Sequence, residues 1–542
     1  MEATSVVLIS LLAVVVSGFL ARITRLPTPL VQIALGAAIC QSGLSAVVLD
    51  PQVFFLLFLP PLLFLDGWRI PKDALFRDAS TILKLALGLV VFTVLGMGLL
   101  IHWLIPAMPI AVAFALAAVI SPTDPIAVSS IADRTPIPRR LMHILQGEAL
   151  LNDATGLVCM RFAVAAVLTG SFSLPATLAS FAWVAAGGLA IGAGITWLVA
   201  RIASWTSAKL GEDGGGQILV TLLIPFGVYL LAERLHCSGI LAAVAAGVTM
   251  SFTDVWHWHA ATRLRRTAVW DMVQLGANGS IFVLLGQQIP ALIAAAPQTA
   301  LAAEHPNAWW LVLDVLAIVA ALAVLRFVWV WASLKVRVIG ARWHGRAAPP
   351  SNWRVVMVAS LAGVRGAITL AGVMTLPLAL NDGTPFPARD LAILLAAGVI
   401  VLSMVLATVG LPHALRRLAW AADPALQGDV DRARLAAAEV AIAAIRTAQR
   451  TLAEGGGDAQ RYAAAAHRII DLYHQRMHRW SGDDDTPALR NQDETIERQL
   501  RLVGLRAERD EILRIGRTNE LADLAVRKIV RELDHQEARH NG

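Results

Sequence analysis

The stretch "LQGEALLNDATGLV", Leu145 to Val158, places Glu148, Asn152 and Asp153 inside an apolar run. Ionisable side chains at membrane depth cost several kcal/mol unless they are paired, hydrated or occupied with an ion. Glu148 and Asn152 are four residues apart and share a helix face, whereas Asp153 is turned by about 140° from Glu148. One carboxylate can thus face a neighbouring helix while the other faces a cavity. A second cluster precedes it in "ISPTDPIAV". Pro122 and Pro125 each remove a backbone donor and clash with the carbonyl four residues back, so the helix must open at Thr123 and Asp124. The carbonyls freed near Ala118 and Ser121 are oxygen ligands suited to a hard cation, and such a break survives in a membrane only against a cavity or other protein. Ser121 joins Thr123 and Asp124 as a candidate. The plain alternative, a kink with Asp124 capping the second half-helix, leaves Asp153 in the next span unexplained.

Two cations complete the set. Arg365 lies between Gly363 and Gly366 in "LAGVRGAITLAG", an apolar segment interrupted by glycine and charge as the earlier one is by proline. There it would offset the negative helix ends at a crossing of two broken helices; the alternative is an arginine at the inward end of a span. Arg326, in "LAVLRFVWV", needs an anion. Glu148 is the acid left over once Asp124 and Asp153 are assigned to the cavity; the alternative for Arg326 is snorkelling toward the basic segment from Lys335. The chemistry is competition: Asp153 can hold a proton or help ligate a monovalent cation such as Na+, but not both, because either one neutralises the charge that attracts the other. If only the neutralised carrier crosses the low-dielectric barrier, the two fluxes are coupled.

The elements that must position these residues are legible in the hydropathy. The 542 residues are 57% hydrophobic and 15% charged with mean hydropathy +0.63, which describes a chain dissolved in lipid. About 13 apolar runs are long enough for a hydrocarbon core of about 30 Å. They centre near Val14, Leu35, Leu56, Val90, Leu116, Asp153, Gly188, Pro225, Ala245, Phe282, Val319, Gly363 and Leu395. Odd-numbered loops carry about 18 Lys and Arg and even-numbered loops 2, Arg234 and Arg389. Short basic loops stay cytoplasmic, so the N-terminus is expected outside and the C-terminus inside. The same pattern accounts for the net charge of +6 without nucleic acid.

The transmembrane domain is expected over 1–420 and a soluble, helical cytoplasmic tail with a regulatory role over 421–542. Cys40, Cys159 and Cys237 show neither metal nor disulfide spacing. "HWH" at His257 to His259 lies in a basic loop without further ligands, which favours a membrane-surface role over a metal site. No Gly-rich phosphate loop is present, and neither a cofactor nor enzyme chemistry is implied. An intramembrane aspartyl protease needs two aspartates sharing one water, which Asp124 and Asp153 do not suggest. A channel would use the same carboxylates without strict coupling.

"SPTDPIAV", "GEALLNDATGLV", "LPPLLFLDGW" and "GVRGAITLAG" together resemble the sodium/proton exchangers of the NhaP and animal-exchanger branch of the monovalent cation/proton antiporters, over nearly all of Met1 to Leu418. The resemblance implies an all-α fold of 13 spans with inverted repeats and two broken crossing helices, a homodimer in a bacterial inner membrane, and an elevator-like movement serving pH homeostasis. By motif, Asp153 is the cation and proton carboxylate, Asn152 stabilises it, and Thr123 and Asp124 belong to the transported-Na+ site. Glu148 pairs with Arg326, and Arg365 marks the second crossing helix. Asn152 stands where electrogenic relatives have Asp, which suggests one-for-one electroneutral exchange, with K+ as the alternative cation. Two departures stand out. Ala149 replaces a serine frequent after the motif Glu, and Asp66 sits one position beyond the third-span acid it resembles.

Overall fold

The computed structural model describes residues 2–42, 51–69, 84–124, 128, 139–169, 174–211, 213–253, 260–343, 353–380, 383–416, 424–454 and 459–481, with scattered residues between 500 and 537. Pro125, "HWH" and the loop residues Lys72, Arg77, Arg134 and Arg346 lie outside the described residues. Two compact units divide the chain, Met1–Ala419 and Trp420–Gly542.

The described residues of the first unit form a succession of helices. Its helices are α1 (Glu2–Thr24), α2 (Thr28–Gln41), α3 (Pro51–Arg69), α4 (Val90–Leu104, entered through a π-helical segment Lys84–Leu89), α5 (Ile110–Ile120), α6 (Arg139–Thr169) and α7 (Leu174–Leu210). There follow α8 (Gly214–Arg234), α9 (Gly239–Thr253), α10 (Ala260–Ala302), α11 (Trp309–Trp343), α12 (Trp353–Leu361), α13 (Ala367–Met374) and α14 (Arg389–Arg416). Each expected span centre falls in one of these helices, or, for Gly363, in the gap between α12 and α13. Among the described residues, 8 helices are long and apolar enough to cross a membrane on their own. The shortness of α5, α12 and α13 has a local cause, since the chain breaks at Pro122 and at the Gly363–Gly366 segment.

Packing divides the helices into two groups. α1–α3 pack with α7–α10, and α4–α6 pack with α11–α14, while few contacts cross between the groups. The repeat relationship is visible in the first group. α2 crosses α10 where Gly36 meets the Val283 carbonyl and Gly286 meets the Ile33 carbonyl; α3 crosses α9 where Gly67 meets the Val244 carbonyl and Gly247 meets the Phe64 carbonyl. If spans one to six are repeated inverted as spans eight to thirteen, the second corresponds to the ninth and the third to the tenth. The α2–α10 crossing then maps onto the α9–α3 crossing, one contact built twice. Lipid offers no hydrophobic drive between helices, so small residues that let backbones touch carry the association.

In the second unit, α15 (Pro424–Glu454) and α16 (Ala459–Ser481) pack side by side, burying Ala438, Ile442 and Ala466.

The crossings give a direct stability test. Gly247→Ala or Gly286→Ala sets a methyl into a partner's carbonyl and should destabilise by about 1–3 kcal/mol. Gly194→Ala, with nothing within 4 Å of the added carbon, should be neutral or stabilising by up to about 1 kcal/mol through helix propensity. Thermal unfolding of the detergent-purified variants, read by fluorescence-detected size exclusion, should rank them in that order.

Candidate ion-coupling site

The two broken helices satisfy each other's loose backbone groups. In an unbroken helix the Asp124 amide would bond the Ile120 carbonyl. Here the Asp124 amide donates to the Val364 carbonyl at 2.7 Å, and Ile120 accepts from Nε of Arg365 at 2.8 Å. The same guanidinium, through Nη1, donates to the Gly363 carbonyl, and the Arg365 amide donates to Oγ of Ser403 on α14 at 3.2 Å. Arg365 therefore binds carbonyls at the C-terminal ends of both α5 and α12, where the helix dipoles are negative. The Asp124 carboxylate packs on Gly366, where a Cβ would overlap it, at the positive N-terminal end of α13. The carbonyl of Ala118, deprived of its donor by Pro122, lies against Gly156 of α6, whose missing side chain makes room for it and for the proline ring.

Beside the crossing runs a chain of polar contacts. Arg326 of α11 grips Glu148 of α6 with both terminal nitrogens, Nη1 on Oε1 and Nη2 on Oε2, the latter at 2.8 Å. Its Nε donates to the Ala359 carbonyl at 2.9 Å, near the end of α12. Glu148 and Arg326 are 1% and 3% exposed, so the pair is fully desolvated and is tolerated because its charges cancel and its fork is filled. Thr123 Oγ1 donates to Glu148 Oε1 at 3.3 Å, and Asn152 Nδ2 donates to Thr123 Oγ1 at 3.0 Å. A carboxylate only accepts, so the threonine hydroxyl must spend its proton there and accept from the amide, which fixes which way Asn152 is turned. Asn152 Oδ1 and Ser121 Oγ are buried without a hydrogen-bond partner among the described residues.

Asp153, next to Asn152 but rotated around α6, takes no part in that chain. It is buried, and the charges of Asp124, Asp66 and Glu148 all reach it. Asp66 of α3 in turn senses Asp124 and, with the opposite sign, Arg69 one turn further along α3. Three membrane acids thus lie within electrostatic range of one another at the seam between the two helix groups, with Asp66 contributed by one and Asp124 and Asp153 by the other. Among the described residues no three His, Cys, Asp or Glu side chains converge as a metal-binding cluster. An ion here would rely on one or two carboxylates plus neutral oxygens, the donor set of a hard monovalent cation held weakly enough to leave. Sequence reasoning did not find Ser403, Gly156 or the Ala359 carbonyl. A lone serine in an apolar helix and a backbone oxygen carry no signal of their own.

A membrane-embedded inverted repeat with two broken helices crossing beside buried carboxylates defines a secondary-transporter fold. The comparisons give the family. The profile described as "Sodium/hydrogen exchanger, transmembrane" matches residues 7–417, and the chain belongs to that family. It is 40% identical, over 99% of both chains, to a protein of Escherichia coli K12 described as the uncharacterized Na+/H+ exchanger YjcE. It is 37% identical to the sodium, potassium, lithium and rubidium/H+ antiporter of Bacillus pumilus, over 94% of this chain and 74% of that one. The sodium proton antiporter MjNhaP1 of Methanocaldococcus jannaschii shares the fold, with a TM-score of 0.57 at 18% identity over 77% of this chain and 99% of the other.

Removing either member of the buried ion pair leaves the other charge stranded. Glu148→Gln and Arg326→Ala should each cost about 3–5 kcal/mol. The double variant should cost less than the sum, because no lone charge remains. A double-mutant cycle on thermal stability checks this; additive losses would show that the two side chains do not act as a pair.

Proposed function

We propose that the chain is a secondary antiporter that exchanges Na+ or Li+ for H+ one for one, through competition of cation and proton at Asp153. The observation that carries this reading is the separation of the two α6 acids: Glu148 is neutralised by Arg326, whereas Asp153 sits beside the helix crossing with no hydrogen bond or ion pair in that network. Asp124 and Thr123 are assigned to the same cation site, and Asp66 to its approach. Family membership and the names of the Bacillus and E. coli relatives support cation/proton exchange. Asn152, an amide committed to Thr123, adds no second titrating charge beside Asp153, which supports electroneutrality. The B. pumilus relative's name also includes potassium and rubidium, so K+/H+ exchange is the second reading.

The proposed setting is a homodimer in a bacterial plasma membrane, N-terminus outside and C-terminus cytoplasmic by the loop-charge asymmetry. Alternating access is assigned to movement of the α4–α6 and α11–α14 group against the other, an elevator whose sliding surface is the sparsely packed seam. Across that seam Arg161 of α6 binds Oε1 of Glu233 on α8 at 2.9 Å. The same oxygen accepts from the Gly239 amide at the start of α9 at 3.1 Å, which holds the acceptor in place.

Transport by purified protein in proteoliposomes, with Na+, Li+ and K+ compared, tests the function. Asp153→Asn should abolish exchange while leaving a folded protein, since the isostere keeps packing and loses the titratable charge. In the parent chain, raising pH removes the competing proton. The apparent cation KM should therefore fall about tenfold per pH unit below the site's pKa and then level off. A pH-independent KM excludes shared-site competition, and a rate that follows clamped membrane potential excludes one-for-one exchange.

The movement has its own test. With Cys40, Cys159 and Cys237 replaced, Arg161→Cys and Glu233→Cys joined by a short thiol-reactive bridge should stop exchange, and cleaving the bridge with reductant should restore it. Undiminished transport by the bridged protein would mean that α6 and α8 travel together.

A further inference from the structure

The second unit contains a surface that ion exchange does not use. α16 is the more strongly amphipathic of its two long helices, and only part of its apolar arc is consumed by packing against α15. Ala466 is buried, but Tyr462, Ile469 and Leu472 are 38%, 45% and 57% exposed. Positions 462, 469 and 472 follow one another along a single stripe about 15 Å long. Arg461 and Arg468, both exposed, each precede a stripe residue by one position. Leu472 stands four residues from Arg468 and three from Ile469, so the guanidinium row and the apolar row adjoin without a polar gap.

Charge separates this helix from its neighbour. α16 carries Arg461, Arg468, Arg476 and Arg479 against the single acid Asp471, whereas in α15 four arginines face four acids. Among the described residues of α15, Val440 is the one exposed large apolar side chain. A protein partner recognising α16 would need a matching acidic groove. A bilayer containing anionic lipid offers both an apolar layer and negative headgroups in the right order of depth. The chain supplies the proximity, since only 7 residues separate the end of α14 at Arg416 from the start of α15 at Pro424. A surface too small to hold a free protein on a membrane can therefore act with the high effective concentration of a tether.

We propose that α16 lies on an anionic bilayer surface, with Tyr462, Ile469 and Leu472 entering the headgroup boundary and Arg461 and Arg468 on the phosphates. The test uses the full chain, with its three native cysteines replaced, reconstituted in phosphatidylcholine vesicles with or without phosphatidylglycerol. An environment-sensitive fluorophore at Leu472→Cys should shift to the blue and be quenched by chain-labelled lipid when phosphatidylglycerol is present. At Ala464→Cys, exposed about 200° round the helix from Tyr462, the same label should stay in water. Arg461→Gln with Arg468→Gln should weaken partitioning about fivefold per arginine removed, and added salt should do the same. Circular dichroism and protection of the buried α15–α16 seam from hydrogen exchange would verify that this variant keeps its fold. A Leu472 label that stays in water with both lipids overturns the proposal. So does a label shielded equally in both, which would mean that protein covers the stripe, with crosslinking telling a second copy from the same chain.

Discussion

Everything at the centre of the membrane unit depends on one constraint, that backbone donors and acceptors in a bilayer must find partners inside the protein. Breaking two helices at mid-membrane exposes such groups, and neither break could stand alone. The Asp124 amide and Val364 carbonyl close one gap and the Arg365 side chain closes the other. The charges follow from the same geometry: an arginine where two helices present carbonyls, an aspartate where one presents amides. Glycine at 366 and 156 is then required by close approach, since a methyl would strike Asp124 in one case and Pro122 in the other.

The Glu148–Arg326 pair solves a different problem. A carboxylate that binds an ion reversibly must be buried enough to feel its charge and unpaired enough to give it up, and α6 carries two acids within two turns. In the proposed exchange, tying one to α11 and α12 removes its charge from the competition, and the same contacts anchor the helix that carries the other. Thr123 and Asn152 extend that anchor to the α5 break. The amide's orientation is therefore set from Arg326 outward, four groups in series, although Arg326 itself lies 174 positions from Asn152 in the chain.

Much of this was legible in the sequence because the membrane makes polar residues conspicuous. Pro122 ahead of Asp124, the glycines around Arg365, and a lone Glu and lone Arg in apolar runs each broke a local rule, and each lies at the crossing or in the chain of contacts beside it. The span count was legible for the same reason, down to the gap at Gly363. What stayed hidden is what polarity does not mark. Ser403 looks like any helix serine. The grouping of α1–α3 with α7–α10 depends on glycine contacts that hydropathy does not weight. Asp66, one position off its expected register and close to the end of α3, was marked in the sequence only by a weak resemblance to a third-span acid; its electrostatic reach to Asp124 and Asp153 across the seam ranks it with them.

The seam itself sharpens the physical picture. Glycine crossings join the elements of the first helix group and the Glu148–Arg326 pair joins those of the second, while among the described residues contacts between the groups are few; in the proposed movement of one group against the other, charge on that boundary adds to the cost of passage. Asp66, Asp124 and Asp153 sit there. With all three ionised and unaccompanied, mutual repulsion and desolvation both oppose passage through the narrow part of the barrier. A bound cation or proton relieves both at once. In the proposed exchange, coupling follows from where the acids are, at the boundary of the two helix groups, through neutralisation of the charge on that boundary.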